Sequence, residues 1–302
     1  MQQAREFRID VGDAELAVLE WPGEGDPVLL LHATGFHSRC WQEVVKRLPG
    51  QHVYAVDLRF HGASGAGGKV DWKLLSDDIR TLIERMDLTR LVGVGHSIGG
   101  FLIARAAAAL PSRFKQLLLI DPVILSPRTY AGLHELVGTL NAADHPVSRR
   151  KNRWLDACEM YERFSNKPPF DSWDPQVLRD YCDYALCPAD EEGVMQLLCD
   201  PMNEVSIYLS QAGNDIVYEE LPNIRTPVTL LRAPPGEMNA SPNLSSSPTW
   251  PGLAAALPCA RDILLPHLNH FIPMQDPALV ADYIKSAQLD TWQYDAPAEA
   301  TS

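Results

Sequence analysis

The segment that most constrains the fold is 91–110. An apolar strand pattern at 91–95 leads almost at once into an alanine-rich helical pattern at 98–110. The junction reads Gly-His-Ser-Ile-Gly, with Ser97 at its centre. A chain can pass so abruptly from strand to helix only where small residues leave room for neighbouring backbone, and the two glycines of this motif provide that room. The sequence therefore predicts a strand–turn–helix unit that presents a serine hydroxyl at the apex of a strained turn.

Short apolar runs bounded by turn residues recur along the chain and alternate with helical patterns. The first two form a predicted hairpin, and the later ones are separated by helices such as 71–86 and 277–288. Strands that alternate with helices require crossover connections, which favour a mostly parallel sheet with helices on both faces. The eight predicted strands are 7–11, 15–19, 27–32, 53–57, 91–95, 117–121, 227–232 and 262–265.

One long segment interrupts this alternation. Residues 126–213 contain no strand pattern that we could identify. They contain helical patterns at 152–164, 175–186 and 191–199. We therefore expect a helical cap, 126–213, inserted into an α/β core made of 1–125 and 214–302. Two further segments are predicted to lack regular secondary structure. Residues 234–247 are expected to form an irregular loop, and residues 294–302 a frayed tail.

Charge and composition exclude several classes of partner. The chain has a formal net charge of -13, so phosphate backbones and anionic lipid surfaces would repel it, which argues against nucleic acid and membrane partners. No apolar run is long enough for a membrane helix, and the first residues lack the apolar stretch of a secretory signal. The six cysteines form no close CxxC pair, which favours reduced thiols in a cytoplasmic protein.

The sequence contains no motif that indicates a cofactor or a metal. Neither a G-x-G-x-x-G motif after a strand nor a P-loop is present, so no nucleotide cofactor is indicated. The histidine and cysteine spacings fit no common zinc site, so we expect no metal. The pattern of residues carries no indication of oligomeric state.

A serine nucleophile needs a base that accepts its proton. His270 lies in a predicted loop after the last strand, from which its side chain could reach the end of a central strand. His267 is the alternative nearby, but it directly follows the strand end and Pro266. We therefore predict His270 as the base.

The developing oxyanion needs two backbone donors. The N–H of Ile98, directly after the serine, is one expected donor. The N–H of Thr34, in the loop that follows the 27–32 strand, is the other.

Several motifs together resemble the α/β-hydrolase fold family. They are the loop His-Ala-Thr-Gly-Phe, the stretch Asp-Leu-Arg-Phe-His-Gly-Ala-Ser at 57–64, the turn Gly-His-Ser-Ile-Gly-Gly, and the His-Phe-Ile-Pro-Met-Gln-Asp-Pro segment. They span nearly the whole chain in the order typical of the family. Two positions depart from it, since Ala33 and Phe60 stand where the family usually or often has glycine. The resemblance implies a structural turn around Asp57 and Arg59, with no catalytic role for either.

The resemblance also implies an acid that orients the histidine, in one of two places. After the strand that follows the serine helix, the candidate is Asp121; one strand later, the candidate is Glu237. The later loop lacks the usual Gly-x-x-Asp pattern, so the sequence favours Asp121 without excluding Glu237.

A serine hydrolase that acts on carboxylic esters is the activity that this resemblance implies. The small-molecule substrate would be an ester or a related acyl compound. The same residues could instead serve hydrolysis of a carbon–carbon bond or acyl transfer, and a small-molecule receptor on this fold is a further alternative. Since the predicted cap would determine acyl length and alcohol group, the sequence leaves these open.

Overall fold

An eight-stranded sheet forms the centre of the computed structural model, which describes residues 3–136, 139, 141–236 and 244–289. The spatial order of the strands is β1-β2-β4-β3-β5-β6-β10-β11. The predicted tail and part of the predicted 234–247 loop lie outside the described residues. The strands of this sheet are β1 (Arg5–Asp10), β2 (Glu15–Trp21), β3 (Glu24–Leu31), β4 (Gln51–Val56), β5 (Leu91–His96), β6 (Phe114–Ile120), β10 (Val228–Arg232) and β11 (Ala260–Leu264).

The sheet confirms the predicted fold class and all eight predicted strands. β1 and β2 pair antiparallel as a hairpin, and β2 also pairs antiparallel with β4. Every other neighbouring pair is parallel. The carboxyl ends of the parallel strands therefore meet at one edge of the sheet, where loop residues from distant parts of the sequence come together.

Helices cover both faces of the sheet. Trp72 and Ile79 of α2 pack with Phe101 of α3 in one buried apolar cluster, whereas Val44 of α1 and Ile284 of α10 belong to a second cluster on the opposite face. The predicted helices at 71–86, 98–110 and 277–288 are confirmed. The helices are α1 (Gln42–Val45), α2 (Trp72–Arg85), α3 (Ile98–Ala109), α4 (Pro127–Leu136), α5 (Ala157–Phe164), α6 (Pro175–Tyr184), α7 (Pro201–Leu209), α8 (Val217–Glu220), α9 (Ile272–Gln275) and α10 (Pro277–Gln288).

The 126–213 segment, which we name the insertion, contains strands as well as helices. β7 (Arg153–Trp154), β8 (Leu186–Pro188) and β9 (Met195–Leu197) form a small antiparallel sheet in the order β7-β9-β8. The predicted helix at 191–199 is therefore wrong, and the one at 152–164 begins only at Ala157. Strands of two or three residues are too short to show a periodicity of two, so their pairing is set by tertiary contacts.

Aromatic side chains join the insertion to the core. Trp154, Trp173 and Tyr181 of the insertion are buried in a third apolar cluster, together with Phe36 and Phe271 of the core. The ring centroids of Phe36 and Tyr181 are 5.3 Å apart, and those of Trp173 and Phe271 are 5.4 Å apart. The insertion is thus packed against the edge of the sheet at which the β3 and β11 loops lie.

Candidate active site

The turn between β5 and α3 holds Ser97 in a strained conformation. Its φ of 58° and ψ of -119° lie in a region that residues with a side chain rarely adopt. The neighbouring glycines are required by close backbone approach. A Cβ on Gly95 would lie 2.2 Å from the carbonyl oxygen of Gly99, and one on Gly99 would lie 2.3 Å from that of Leu31. The predicted strand–turn–helix unit is therefore present, and the serine is its apex.

His270 lies between β11 and α9 and connects Ser97 to Asp121. Its Nε2 is 3.1 Å from Oγ of Ser97, and its Nδ1 is 2.7 Å from Oδ2 of Asp121. A carboxylate can only accept, so Nδ1–H donates to Asp121 and Nε2 is left to accept the serine proton. Nε2–H of His96 donates to the carbonyl oxygen of His270 at 2.8 Å, and this hydrogen bond holds the loop that carries His270 against the end of β5. The alternative base, His267, is exposed.

Asp121 is fully buried at the end of β6 and is held by several donors. Its Oδ1 accepts hydrogen bonds from the backbone N–H of Ala233 at 3.1 Å, from Oγ of Ser247 at 2.6 Å and from Oγ1 of Thr249 at 3.2 Å. The two hydroxyl donors were not predicted from the sequence, because no spacing pattern identifies a serine or threonine in an irregular loop. The alternative acid, Glu237, lies outside the described residues.

The two predicted oxyanion donors lie beside Ser97. Thr34 is buried and lines the same cavity as the serine. Ile98 contributes the first N–H of α3, a group for which an α-helix provides no internal acceptor. The two amides follow the ends of β3 and β5, which are neighbouring strands paired at Leu31 and Gly95.

His61 supports the loop that carries Thr34. Its Nε2 accepts the backbone N–H of Gly35 at 3.0 Å, while its Nδ1–H donates to the carbonyl oxygen of Arg59 at 2.9 Å. Burial lowers the pKa of His61 to about 4, so the ring is neutral and can accept from Gly35 at neutral pH. His61 does not line the Ser97 cavity.

The stretch around Asp57 and Arg59 has the structural contacts that the resemblance implied. Asp57 accepts hydrogen bonds from the backbone N–H groups of Ser38 and Ala63, at 2.6 and 2.8 Å. Arg59 forms a two-point ion pair with buried Asp78, at 2.7 and 2.6 Å. Neither side chain lines the cavity at Ser97.

A cavity of about 600 Å³ opens onto Ser97 and His270. Core residues form its floor, and the insertion contributes most of its wall. Its apolar surface includes the rings of Phe36, Phe164 and Phe170. The site can therefore hold a small organic molecule whose reacting carbonyl lies against the serine and whose apolar body extends beneath the insertion.

In the described part of the chain, no group of three or more histidine, cysteine, aspartate or glutamate side chains is placed to hold a metal ion. None of the helices described above is both long enough and apolar enough to cross a bilayer.

Comparisons with known proteins identify the family of the chain. A model of the alpha/beta hydrolase family matches residues 28–283. Lipase LipV of Mycobacterium tuberculosis is 26% identical over 266 residues, covering 86% of this chain and 92% of the relative. The crystal structure of E-2-(acetamidomethylene)succinate hydrolase is similar in fold, with a TM-score of 0.74 and 19% identity over 95% of this chain and 100% of that one. The thioesterase domain from the curacin biosynthetic pathway also has a TM-score of 0.74, with 20% identity over 94% of this chain and 100% of that one. Because the family model matches most of the sequence, the chain belongs to the alpha/beta hydrolase family.

Proposed function

We propose that the protein is a serine hydrolase that cleaves carboxylic esters through an acyl-enzyme on Ser97. The observation that carries this proposal is the continuous chain of hydrogen bonds from Asp121 through His270 to Ser97 at the floor of the cavity. A serine, a base within reach and a third group that orients the base are the elements of an activated nucleophile.

Acylation follows from the positions of these groups. Oγ of Ser97 attacks the ester carbonyl carbon while Nε2 of His270 takes the hydroxyl proton. The amides of Thr34 and Ile98 donate to the carbonyl oxygen as it becomes an oxyanion. The tetrahedral intermediate collapses, the bond to the alcohol oxygen breaks, and His270 returns its proton to the leaving alcohol.

Deacylation repeats the sequence with water as the nucleophile. His270 takes a proton from water, the hydroxide attacks the acyl carbon, and the bond to Oγ of Ser97 breaks. His270 then protonates Oγ, and the carboxylic acid leaves and ionises in solution. Asp121 stays ionised throughout and stabilises the imidazolium that forms in each half-reaction.

The insertion would act as the cap of this site. It supplies Phe164, Phe170 and Tyr181 to the cavity wall, so its side chains contact the body of the ligand. The reacting groups are all held by the core. This division lets the cap select the substrate while the core performs the chemistry.

The first test is labelling with a fluorophosphonate, compared between wild type and Ser97→Ala by peptide mass spectrometry. We expect one adduct, on Ser97, which is absent from the variant. Steady multiple turnover of p-nitrophenyl butyrate by the wild type should follow. No adduct, or an adduct on another residue, would contradict the proposal. Labelling of Ser97 with only one turnover of every ester would favour a receptor.

A further inference from the structure

The cavity at Ser97 is unusually basic for such an acidic chain. Five of its lining residues are lysine or arginine and one, Glu204, is acidic, although the chain has 39 acidic and 26 basic residues. The five basic residues all belong to the insertion: Arg149, Arg150, Lys151, Arg163 and Lys167. The charge balance of the cavity lining is therefore the reverse of that of the whole chain.

Internal ion pairs account for two of these cations. Arg150 pairs with the buried carboxylate of Glu204 and also donates from Nη2 to the hydroxyl of Tyr181 at 2.9 Å. Lys151 pairs with Glu159 and lies over the ring of Trp154, 4.3 Å from its centroid. Both side chains are therefore occupied in holding the insertion together.

The remaining three cations are not neutralised in this way. Across residues 3–136, 139, 141–236 and 244–289, no carboxylate oxygen lies within ion-pair distance of Arg149, Arg163 or Lys167. Arg163 acts on the carboxylate of Glu159 only at longer range: the pKa of Glu159 is lowered first by the hydrogen bond from Lys151, then by the backbone N–H of Leu155, and least by the charge of Arg163. We name these three residues the basic rim.

The basic rim lies at the open end of the cavity. All three of its side chains are exposed, whereas Ser97 and His270 at the other end are buried. The lining also includes partly buried apolar residues, among them Val147, Phe164 and Phe170, which we name the apolar section. Because the three cations are exposed and the serine is buried, a ligand that enters from solvent passes the basic rim before it reaches Ser97.

We propose that the substrate is an ester that carries an anionic group, a carboxylate or a phosphate, bound by Arg149, Arg163 and Lys167. That the substrate is an ester depends on the function proposed above. That it carries an anionic group is inferred from the charges of the cavity lining alone. Two guanidinium groups can each donate two parallel hydrogen bonds to such an anion, and the lysine adds a third charge. The apolar section fits the chain that separates the anion from the reacting carbonyl.

Matched pairs of chromogenic esters test this proposal. For an anion on the acyl side, the pair is mono-p-nitrophenyl adipate and its methyl ester. For an anion on the alcohol side, both members of the pair are hexanoate esters. The alcohol is a hydroxynitrobenzoate in the charged member and the methyl ester of that hydroxynitrobenzoate in the neutral member. A p-nitrophenyl hexanoate with a terminal phosphate distinguishes phosphate from carboxylate. Each kcat/KM is divided by the spontaneous rate of hydrolysis, so that chemical reactivity cancels.

We expect the charged member of at least one pair to be preferred by about tenfold at low salt. The preference should shrink as ionic strength rises, because exposed charges are screened within a Debye length of about 8 Å at physiological salt. In the triple variant Arg149→Gln/Arg163→Gln/Lys167→Gln, the ratio within that pair should fall to near one. A matched triple variant, Arg5→Gln/Lys69→Gln/Arg225→Gln, removes the same charge from exposed positions outside the cavity and should keep the ratio.

Equal rates within both pairs and with the phosphate ester would overturn the proposal, and so would an equal loss of preference in both triple variants. Failure of the proposed function is recognised separately, by the absence of a Ser97 adduct and of turnover of any ester. In that event calorimetry with Ser97→Ala decides the inference alone. Monomethyl adipate should bind at least tenfold more tightly than dimethyl adipate, and equal affinity would refute the basic rim as an anion site.

Discussion

Asp121 is fixed by its own backbone and by donors from two other parts of the chain. Its φ of 44° is positive, which aims the carboxylate from the end of β6 towards His270. Three donors hold Oδ1, so Oδ2 remains directed at the histidine ring. A carboxylate oriented in this way can select one tautomer of the imidazole.

Replacing Asp121 with asparagine should lower kcat by about four orders of magnitude with a small effect on KM. The amide can turn its NH2 group towards Nδ1, which favours the tautomer whose Nε2 carries a proton and cannot accept one from Ser97. Steady-state kinetics with p-nitrophenyl butyrate would measure the loss. Glu237→Gln is the control, and a larger loss in that variant than in Asp121→Asn would show that the acid lies one strand later.

At this scale the sequence predicted Ser97, His270 and Asp121, which the fold brings within hydrogen-bond distance of one another, and missed the groups that hold them. Ser97 was identified from its motif, and His270 from its place after the last strand. Ser247 and Thr249 could not be found, because their contact with Asp121 depends on the path of an irregular loop. The hydrogen bond from His96 to the carbonyl oxygen of His270 could not be found either, because the two residues are far apart in the sequence.

Among the elements, the β5–α3 turn leaves no room for a side chain on its glycines. Gly99→Ala would place a Cβ 2.3 Å from the carbonyl oxygen of Leu31, in the neighbouring strand. Backbone cannot move aside without disturbing the centre of the sheet. We expect a loss of about 3 kcal/mol or more in the free energy of unfolding, or failure to fold, as for severe overpacking. Urea denaturation followed by circular dichroism would measure it.

Gly132→Ala is the matched control for this substitution. Gly132 is exposed in α4, and a Cβ there would meet nothing within 4 Å. Alanine is the better helix former, so this variant should be more stable by about 0.5–1 kcal/mol. Similar destabilisation by both substitutions would mean that the loss at Gly99 does not come from close backbone approach.

Element prediction succeeded where a pattern was long enough to repeat. α2 and α3 extend over several turns; the apolar spacing identified α2, and the alanine content identified α3. α7 was missed, and β9 was mistaken for helix. In the small sheet of the insertion, β7 pairs with β9 from a distant part of the sequence. β8 and β9 are close in sequence but are only three residues long, which is too short to show a periodicity of two.

For the whole molecule, four buried histidines couple stability to pH, and one of them is His37, whose pKa is lowered by burial. Burial, more than any neighbouring charge, lowers the pKa of His32 and His96 well below its usual value and that of His61 to about 4. In the unfolded chain these rings titrate near about 6.5. Between those values the unfolded chain binds more protons than the folded one, so stability is greatest above about 6.5 and is lost as the pH falls towards about 4.

His61→Gln should reduce this pH dependence. The amide oxygen of glutamine can still accept the N–H of Gly35, but the side chain does not titrate. The slope of unfolding free energy against pH, measured by urea denaturation from pH 7 to 4.5, should fall by up to about 1.4 kcal/mol per pH unit. Burial raises the pKa of Asp78, Asp180 and Glu204, which opposes the histidine effect in both proteins and cancels in the comparison. An unchanged slope would contradict the assignment, and His267→Gln is the control for losing an exposed histidine.

The connection between β6 and β10 has a consequence for how such a protein can diversify. Two adjacent parallel strands always need a crossover, and the crossover between β6 and β10 contains the entire insertion. The residues that we propose to react lie outside it, whereas the basic rim and much of the cavity wall lie inside it. Mutation within this one continuous stretch can therefore exchange one metabolite for another while the reacting atoms stay in place. In this architecture, new substrate preferences can arise by drift in a single gene segment, without passing through an inactive ancestor.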